Sequence, residues 1–249
     1  MSQENYKLDV AFDVIPLPSG GIFYESGKDS LKVSYLTAAD ENILTSQNLI
    51  EQGNVIEELL RAKIIDKDID VLDLHDIDKE AVLLFLRNTA YGPNITLVVT
   101  DPETSKKEEV ELDLTTLKYK DFKLVKNKNG LYEYTLPISK KKIEFKYLTR
   151  KEEVVLENIE ESYKDLTVKP TITKRLELMI KSIDGETDPM RLSHLISQLP
   201  IKDSQEFRRY SNENLPGIDK GVEVTLPSGK KIQTFVNFGP EFFRPFFGL

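Results

Sequence analysis

Residues 35–44 read YLTAADENIL, and residues 147–156 repeat this phrase as YLTRKEEVVL. Five of the ten positions are identical, and two more exchange Asp for Glu and Ile for Val. Such self-similarity indicates one supersecondary unit that is used twice. Because a recurring unit more often builds a scaffold than an active site, the phrase is expected to decide the fold.

Each copy of the phrase follows a proline turn. The turn reads LPSG at residues 17–20 and LPIS at residues 136–139, and a third LPSG stands at residues 226–229. Proline fixes φ and glycine permits a positive φ, which are the properties that tight turns need. After the first two turns, residues 30–35 and 142–147 alternate apolar and polar side chains, as half-buried strands do.

The phrase itself predicts the start of a helix. Thr37 and Thr149 are the expected N-caps, and Asp40 and Glu152 lie three residues further on. This spacing is that of a capping box, and it also places negative charge at the positive end of the helix dipole. The repeated unit is therefore predicted to be a turn, a strand and a capped helix, and a purely structural role is the favoured interpretation.

Further helices are predicted from periodicity and capping residues. A first capped helix is expected over residues 38–49, and another over residues 172–182. Asp78 and Asp203 each precede an apolar periodic stretch and are the predicted N-caps of two more helices.

The middle of the chain changes to a strand-like pattern. β-branched residues dominate from residue 95 to residue 100, and a DPETSK turn leads into a returning strand. Strands are also expected over residues 122–125 and 131–134, because Asn129 and Gly130 between them form a strong hairpin signal.

Together these patterns predict an α+β protein. It has a duplicated turn-strand-capped-helix module, a β-hairpin segment between the repeats and a mixed helical and hairpin C-terminal segment. We expect an N-terminal α+β module at residues 1–93. Residues 94–169 form the hairpin segment plus the second repeat, and residues 170–249 form a helical segment with a closing hairpin and a Phe-rich tail.

Composition limits the class of protein. The chain has 249 residues, a net charge of -8 and no cysteine. The acidic balance argues against a general nucleic-acid binder, and disulfides and thiolate metal sites are excluded. The N-terminal sequence lacks the pattern of a signal peptide, and no apolar run approaches the roughly 18 residues of a membrane span. We therefore expect a soluble intracellular protein.

Few residues could support catalysis. Three aspartates surround His75 in the stretch DLHDID, residues 73–78, which could indicate a metal site. The alternative is a loop that runs into a helix N-terminus, where aspartate is favoured by capping and by the helix dipole. His194 is expected at a helix edge. Because nucleophile elbows and phosphate-binding loops are also missing from the sequence, we expect no enzyme activity, no cofactor and no metal.

The C-terminal end has an unusual composition. Six of the twelve phenylalanines fall within the last fifteen residues, interrupted by two prolines. A free tail this apolar would be a liability in water, so it either packs on its own core or contacts a partner. Aromatic residues with an arginine are typical of interface anchors. The predicted partner-binding residues are Phe238, Phe242, Phe243, Arg244, Phe246 and Phe247.

The sequence resembles the baseplate hub subunits and hub assembly proteins of T-even-type contractile-tailed bacteriophages. Residues 16–60 carry a similar N-terminal signature, namely the LPSG turn, an aromatic residue, the YLTAADENIL helix and LTSQN. The second phrase, LPISKKKIEFKYLTRKEEVVL from residue 136, resembles a shorter module of that family. The segment from Pro170 to the Phe-rich end also fits, more loosely.

The resemblance implies a function in assembly. A member of this family would be a late protein that helps to build the central hub of the tail baseplate in the host cytoplasm. It would bind other baseplate hub proteins, need no cofactor and then either leave or remain in the virion tail. The alternative is a general adaptor or nucleic-acid-associated protein, which would bind RNA or DNA in a salt-dependent way.

Overall fold

The computed structural model describes residues 11–163 and 168–243. The strands, in chain order, are β1 (Phe12–Pro16), β2 (Ser30–Ser34), β3 (Asn94–Thr100), β4 (Lys107–Asp113), β5 (Tyr132–Thr135), β6 (Lys142–Phe145), β7 (Ile180–Ile183), β8 (Gly221–Thr225) and β9 (Lys231–Phe235). The helices are α1 (Ala38–Leu44), α2 (Gln47–Gln52), α3 (Val55–Lys63), α4 (Asp76–Tyr91), α5 (Arg150–Ser162), α6 (Thr171–Met179), α7 (Pro189–Ser197) and α8 (Ile201–Glu213). The predicted α+β class is confirmed.

The chain divides into two compact units. Unit 1 comprises the described residues of Met1–Gly21, Lys28–Lys120 and Gly217–Leu249, and unit 2 comprises Ile22–Gly27 and Asp121–Pro216. The predicted segments 94–169 and 170–249 each contribute to both units. The reason is that the hairpin of β8 and β9 returns to unit 1, where β8 packs against β4 and Ile218 forms a bridge with Tyr119.

Unit 1 is built from two-stranded antiparallel sheets and the helices α1 to α4. β1 pairs with β2, β3 pairs with β4, and β8 pairs with β9. Ile64, which follows α3, forms an antiparallel bridge with Val33 of β2. The buried apolar residues include Leu17, Leu31, Val33, Leu59, Leu60, Leu74, Val82, Leu86, Val110 and Leu112.

Unit 2 is built around the antiparallel sheet β5-β6-β7, with aromatic rings in its core. Phe145 of β6 makes an edge contact with Phe207 of α8, with ring centroids 5.1 Å apart. Tyr147 is buried against Tyr132, and its hydroxyl donates a hydrogen bond to the Ser211 carbonyl at 3.0 Å. Burial raises the pKa of Tyr147 above its ordinary value, because the charged phenolate would lose its hydration.

Two predicted helices end earlier than expected. The helix predicted over residues 38–49 is interrupted after Leu44, because the Ser46 side chain caps a new helix, α2. The helix predicted over residues 172–182 ends at Met179. The next four residues form β7, where Ile180 and Ile183 pair with β6, so sheet pairing overrides the helical periodicity.

The hairpin predicted around Asn129 and Gly130 is wrong, because residues 122–125 form no strand. The Asn127 side chain closes this turn by accepting hydrogen bonds from the backbone amides of Asn129 and Leu131 at 2.9 and 3.1 Å. β5 pairs with β6 across the LPIS turn instead, with Tyr134 opposite Ile143. The second turn thus joins two paired strands, just as LPSG lies between β1 and β2.

The N-caps predicted at Asp78 and Asp203 are also wrong. α4 begins at Asp76 after His75, and α8 begins at Ile201 after Pro200, so each aspartate is the third residue of its helix. Both carboxylates turn back from the first helical turn to bind another part of their own unit.

Within the described residues, no helix is both long and apolar enough to cross a membrane.

Candidate partner-binding site

Asp78 holds the first proline turn in place. Its side chain is fully buried in unit 1, and its carboxylate accepts hydrogen bonds from the Ser19 amide at 3.0 Å and the Ser19 hydroxyl at 2.7 Å. The same hydroxyl accepts a bond from the Gly21 amide at 3.2 Å. Because α4 carries Asp78, this contact fixes the LPSG turn to the first turn of that helix.

Asp203 does the same in unit 2. Its carboxylate accepts hydrogen bonds from the Ile138 amide at 2.7 Å and the Ser139 amide at 2.9 Å. Burial alone would raise the pKa of Asp203, but these bonds lower it below its ordinary value. We call the two arrangements acid clamps, one made by Asp78 on Ser19 and the other by Asp203 on Ile138 and Ser139.

The third proline turn is a simple hairpin connection. Its leucine, Leu226, is buried like Leu17 and Leu136. Backbone bonds close the turn, from the Leu226 amide to the Lys230 carbonyl at 2.8 Å and from the Gly229 amide to the Leu226 carbonyl at 2.8 Å. Ser228 is exposed to solvent, whereas Ser19 is buried. The same four letters therefore serve two different structural purposes.

Both predicted capping boxes are present. The Asp40 carboxylate accepts a bond from the Thr37 amide at 2.7 Å, and the Glu152 carboxylate accepts one from the Thr149 amide at 3.0 Å. Each acid also pairs with a lysine at 2.6 Å, Asp40 with Lys63 and Glu152 with Lys146.

Burial alone would raise the pKa of both box acids, Asp40 and Glu152. The lysine and threonine contacts outweigh that effect and lower both pKa values. The two copies of the phrase therefore share their local structure, while their origin in one duplicated unit stays a prediction.

The DLHDID stretch is used for helix initiation. His75 is the N-cap of α4, and its Nδ1 accepts a bond from the Ile77 amide at 3.3 Å. Among the residues that the structure describes, no group of three or more His, Cys, Asp or Glu side chains is placed to hold a metal ion. His194 lies exposed on α7.

The phenylalanines at the start of the C-terminal tail pack inside unit 1. Phe238, Phe242 and Phe243 are buried, with ring centroids 4.9 Å apart for Phe238 and Phe242. The buried Arg87 of α4 donates to the Phe242 carbonyl at 3.1 Å, and also to the carbonyls of Gly92 at 2.8 Å and Asn94 at 2.9 Å. Burial lowers the pKa of Arg87, which is the mark of a desolvated guanidinium.

This packing corrects the prediction for three of the proposed anchors. The side chains of Phe238, Phe242 and Phe243 fill the core of unit 1, so they are not displayed for a partner. Self-packing, one of the two alternatives for the tail, holds for them. Arg244, Phe246 and Phe247 lie outside the described residues, and their role as partner contacts stays a prediction.

The surface displays other large apolar side chains that sequence reasoning missed. In unit 1 these include Phe12 and Val14 of β1, Val98 of β3 and Phe235, which is 77% exposed at the end of β9. In unit 2 they include Val125, Ile201 and Met190, which is 83% exposed on α7. No sequence signal separates these residues from core residues, because exposure depends on which face of an element the fold covers.

The sequence model of one protein family matches most of the chain. That family is described as T4 bacteriophage base plate protein, and the match covers residues 21–244. No curated protein and no solved structure matches the chain significantly. The chain belongs to the T4 bacteriophage base plate protein family. It is therefore a phage baseplate protein, and members of this class associate with other phage structural proteins.

Proposed function

We propose that this protein helps to build the central hub of the tail baseplate, as an assembly factor or a hub component that acts by protein–protein binding without catalysis. The observation that carries the proposal is the family match over residues 21–244, which includes both copies of the repeated phrase. The resemblance to hub proteins through the LPSG turn and the YLTAADENIL helix supports the hub as the part of the baseplate concerned.

The chemistry of the described residues supports a binding role. The buried acids of the described residues are each engaged in fixing a helix or a turn; they are Asp40, Asp78, Asp101 and Asp203. Acids used in this way keep the backbone in place, and this favours a structural role for them over proton transfer to a substrate. Exposed apolar side chains such as Met190 and Phe235 supply contact area of the kind that protein interfaces bury.

Salt bridges weaken the case for nucleic-acid binding. The sequence has short basic runs at residues 140–142, 208–209 and 230–231. In these runs Lys142 pairs with Glu133 at 2.7 Å, Lys230 with Glu103 at 2.7 Å and Lys231 with Glu223 at 2.6 Å. Arg209 pairs with Glu206. Because these cations already have acidic neighbours, they form no uninterrupted basic face for a phosphate backbone.

The proposed site of action is the cytoplasm of the infected host cell, where baseplates are assembled. A factor that leaves after assembly would be absent from purified virions, and a hub component would be present in them. Quantitative mass spectrometry of purified phage particles distinguishes these two forms of the proposal.

Co-expression with single hub proteins tests the proposal. The full chain is expressed with each hub protein of the same phage, and complexes are measured by size-exclusion chromatography with light scattering. At least one stable complex is expected, with no retention of nucleic acid at low salt. A chain that stays alone with every hub protein but binds DNA or RNA would establish the adaptor alternative instead.

A shortened chain tests the role of the tail. Ending the chain after Phe243 removes residues 244–249 while keeping the bond between Arg87 and the Phe242 carbonyl. This variant is expected to unfold at the same temperature as the full chain but to lose binding to its hub partner. Unchanged hub binding by the folded, shortened chain would refute the contact role of Arg244, Phe246 and Phe247.

A further inference from the structure

Unit 2 contains a pocket of about 250 Å³ between the end of α6, β7 and α7. Its apolar walls include the buried residues Ile180, Leu192 and Ile196. Its polar lining includes Glu177, Lys181 and Ser193. The volume lies below the roughly 300 to 1,000 Å³ of a typical small-molecule site, so it suits one or two amino-acid side chains better than a cofactor.

Lys181 is the cation of this pocket that lacks a counter-ion. Its side chain is half-buried, and within the described residues it has neither an ion pair nor a hydrogen bond. Burial lowers its pKa and the neighbouring Lys146 lowers it further, while the charge of Glu152 acts in the opposite direction without reversing the shift. A half-buried ammonium without a direct partner is unfavourable, because no ion pair offsets its desolvation.

The acids near Lys181 are already engaged. Glu177 accepts hydrogen bonds from Lys174 at 2.7 Å and from the Ser193 hydroxyl at 2.6 Å. Glu152 binds both Thr149 and Lys146, and both of its oxygens lie within 2.7 Å of the Lys146 ammonium. Neither acid lies within ion-pair distance of the Lys181 ammonium. The positive charge in the pocket is therefore left for a group from outside.

We infer that this pocket receives the carboxylate of a Glu or Asp side chain from a partner protein, with Lys181 as its ion-pair partner and the apolar walls as the seat of an adjacent apolar side chain. The inference deepens the proposed function and rests on it for the nature of the partner. A single ammonium matches a single carboxylate, whereas phosphate sites usually gather several donors. Since the net charge is -8, attraction for an acid must come from this local cation.

A pair of capped peptides tests the pocket without knowledge of the partner. The probes are acetyl-Leu-Glu-Leu-amide and the matched acetyl-Leu-Gln-Leu-amide. The lysines of the full chain are labelled by reductive ¹³C-dimethylation, and the Lys181 signal is assigned by its loss in Lys181→Arg. The Glu peptide is expected to move this signal and raise its pKa, and to bind about ten-fold more tightly than the Gln peptide.

Charge-removal variants provide the matched control. Lys181→Gln is expected to bind the two peptides equally, and thermal unfolding shows whether it is folded. Lys202→Gln removes the same charge from an exposed position on α8 of the same unit and should leave the ten-fold preference intact. Equal binding of both peptides by the wild-type chain, or an unmoved Lys181 signal, would overturn the inference even if Lys181→Gln does not fold.

Hub binding is scored separately. If the hub complex forms in wild type and Lys202→Gln but weakens about ten-fold in folded Lys181→Gln, the pocket is part of the hub interface. If hub binding is the same in all three chains, the pocket is not the partner site and the inference fails while the proposed function stands. If no hub protein binds but the Glu peptide does, the proposed function fails and the carboxylate pocket remains.

Discussion

The capping-box acid of each unit pairs with a lysine, but the two lysines lie at different places relative to the repeated phrase. In unit 1 the lysine beside Asp40 is Lys63, at the end of α3, and in unit 2 the lysine beside Glu152 is Lys146, just after β6. Ser34 corresponds to Lys146, because each directly precedes a copy of the phrase, and Lys63 corresponds to Met179, because each ends a helix. The corresponding residues also bond to each other within each unit. The Ser34 hydroxyl donates to the Lys63 carbonyl, and the Lys146 amide donates to the Met179 carbonyl.

The box acid therefore keeps the same position in both units, although its partner lysine comes from a different part of the chain in each. The two pairs differ in burial, since the side chains of Lys63 and Asp40 are 8% and 7% exposed and those of Lys146 and Glu152 are 32% and 24% exposed. Removing one partner of a buried pair leaves the other charge desolvated, whereas water can solvate the charge that remains when a more exposed pair is broken. The units should therefore respond differently to equivalent changes.

The largest difference is expected at the acid clamps. In Asp203→Asn the new amide group faces the backbone N–H of Ile138 or Ser139, and two donors cannot bond. In Asp78→Asn the amide can donate to the Ser19 hydroxyl, which also accepts. We expect losses of unfolding free energy of about 3 kcal/mol for Asp203→Asn and about 1 kcal/mol for Asp78→Asn. Urea unfolding measures both, and equal losses would contradict the donor argument.

The same clamp gives a pH dependence. Because the folded-state pKa of Asp203 is lowered, its contribution is fully present above its unfolded pKa of about 3.9 and is lost as pH falls through the folded value. The unfolding free energy of wild type should therefore fall more steeply below about pH 4 than that of Asp203→Asn. If the unfolding free energies of wild type and Asp203→Asn fall equally steeply at acidic pH, Asp203 is not ionised in the clamp.

The second prediction concerns the box lysines. Lys63→Met introduces the residue found at the corresponding position of unit 2, which is Met179. It leaves buried Asp40 without a cation, and the unfolding free energy is expected to fall by about 2 kcal/mol. Lys146→Ser introduces the residue found at the corresponding position of unit 1, which is Ser34. It should lower the unfolding free energy by less than about 1 kcal/mol, because the pair of Lys146 and Glu152 is partly solvated. Chemical denaturation checks both, and a larger loss for Lys146→Ser would reverse the comparison.

A double variant sharpens this prediction. Ser34→Lys combined with Lys63→Met moves the lysine of unit 1 to the position that it has in unit 2. We expect the double variant to recover about 1 kcal/mol of the loss caused by Lys63→Met alone, through a non-additive interaction of the two changes. Additive destabilisation would show that the two positions do not correspond.

Sequence reasoning found the local parts of this comparison and missed the long-range ones. The turns, the capping threonines and the box acids could be predicted because their partners lie within a few residues. The clamps could not, because Asp78 lies 59 residues from Ser19 and Asp203 lies 65 residues from Ile138. Periodicity also could not show that Ile180 begins a strand, since β6 supplies its partner.

The candidate site was predictable only in part. The phenylalanine composition indicated that the apolar tail must be buried away from water, and Phe238, Phe242 and Phe243 are buried in the structure. Nothing in the sequence marks Arg87 as the residue that binds the Phe242 carbonyl, because one arginine within a helix resembles any other. The missing counter-ion of Lys181 is likewise visible only once the neighbouring acids have been placed.

The third prediction concerns the capping threonines. Thr37→Ala and Thr149→Ala should each lower the unfolding free energy by about 1 kcal/mol, because each removes a hydroxyl bonded to the box acid. Thr→Ser at either position retains the hydroxyl and is the matched control. If both alanine variants unfold within about 0.3 kcal/mol of wild type, the boxes do not stabilise the helices.

The smallest effect is expected at the third turn. Ser228→Ala should change the unfolding free energy by less than about 0.3 kcal/mol, because this hydroxyl is exposed, whereas Ser19→Ala should cost about 1 kcal/mol through the loss of its bond to Asp78. Thermal unfolding of the two variants provides the comparison. A similar cost at both serines would show that the acid clamp adds nothing to the turn.

Complementation by Asp78→Asn tests most directly whether the buried acids serve the fold and not a reaction. A phage that lacks this protein is supplied with wild-type chain or with Asp78→Asn, and soluble protein and phage yield are measured in the same cells. We predict that phage yield follows the amount of soluble protein, with no further loss in the variant. Normal amounts of folded Asp78→Asn without phage production would contradict the account and assign Asp78 a chemical role.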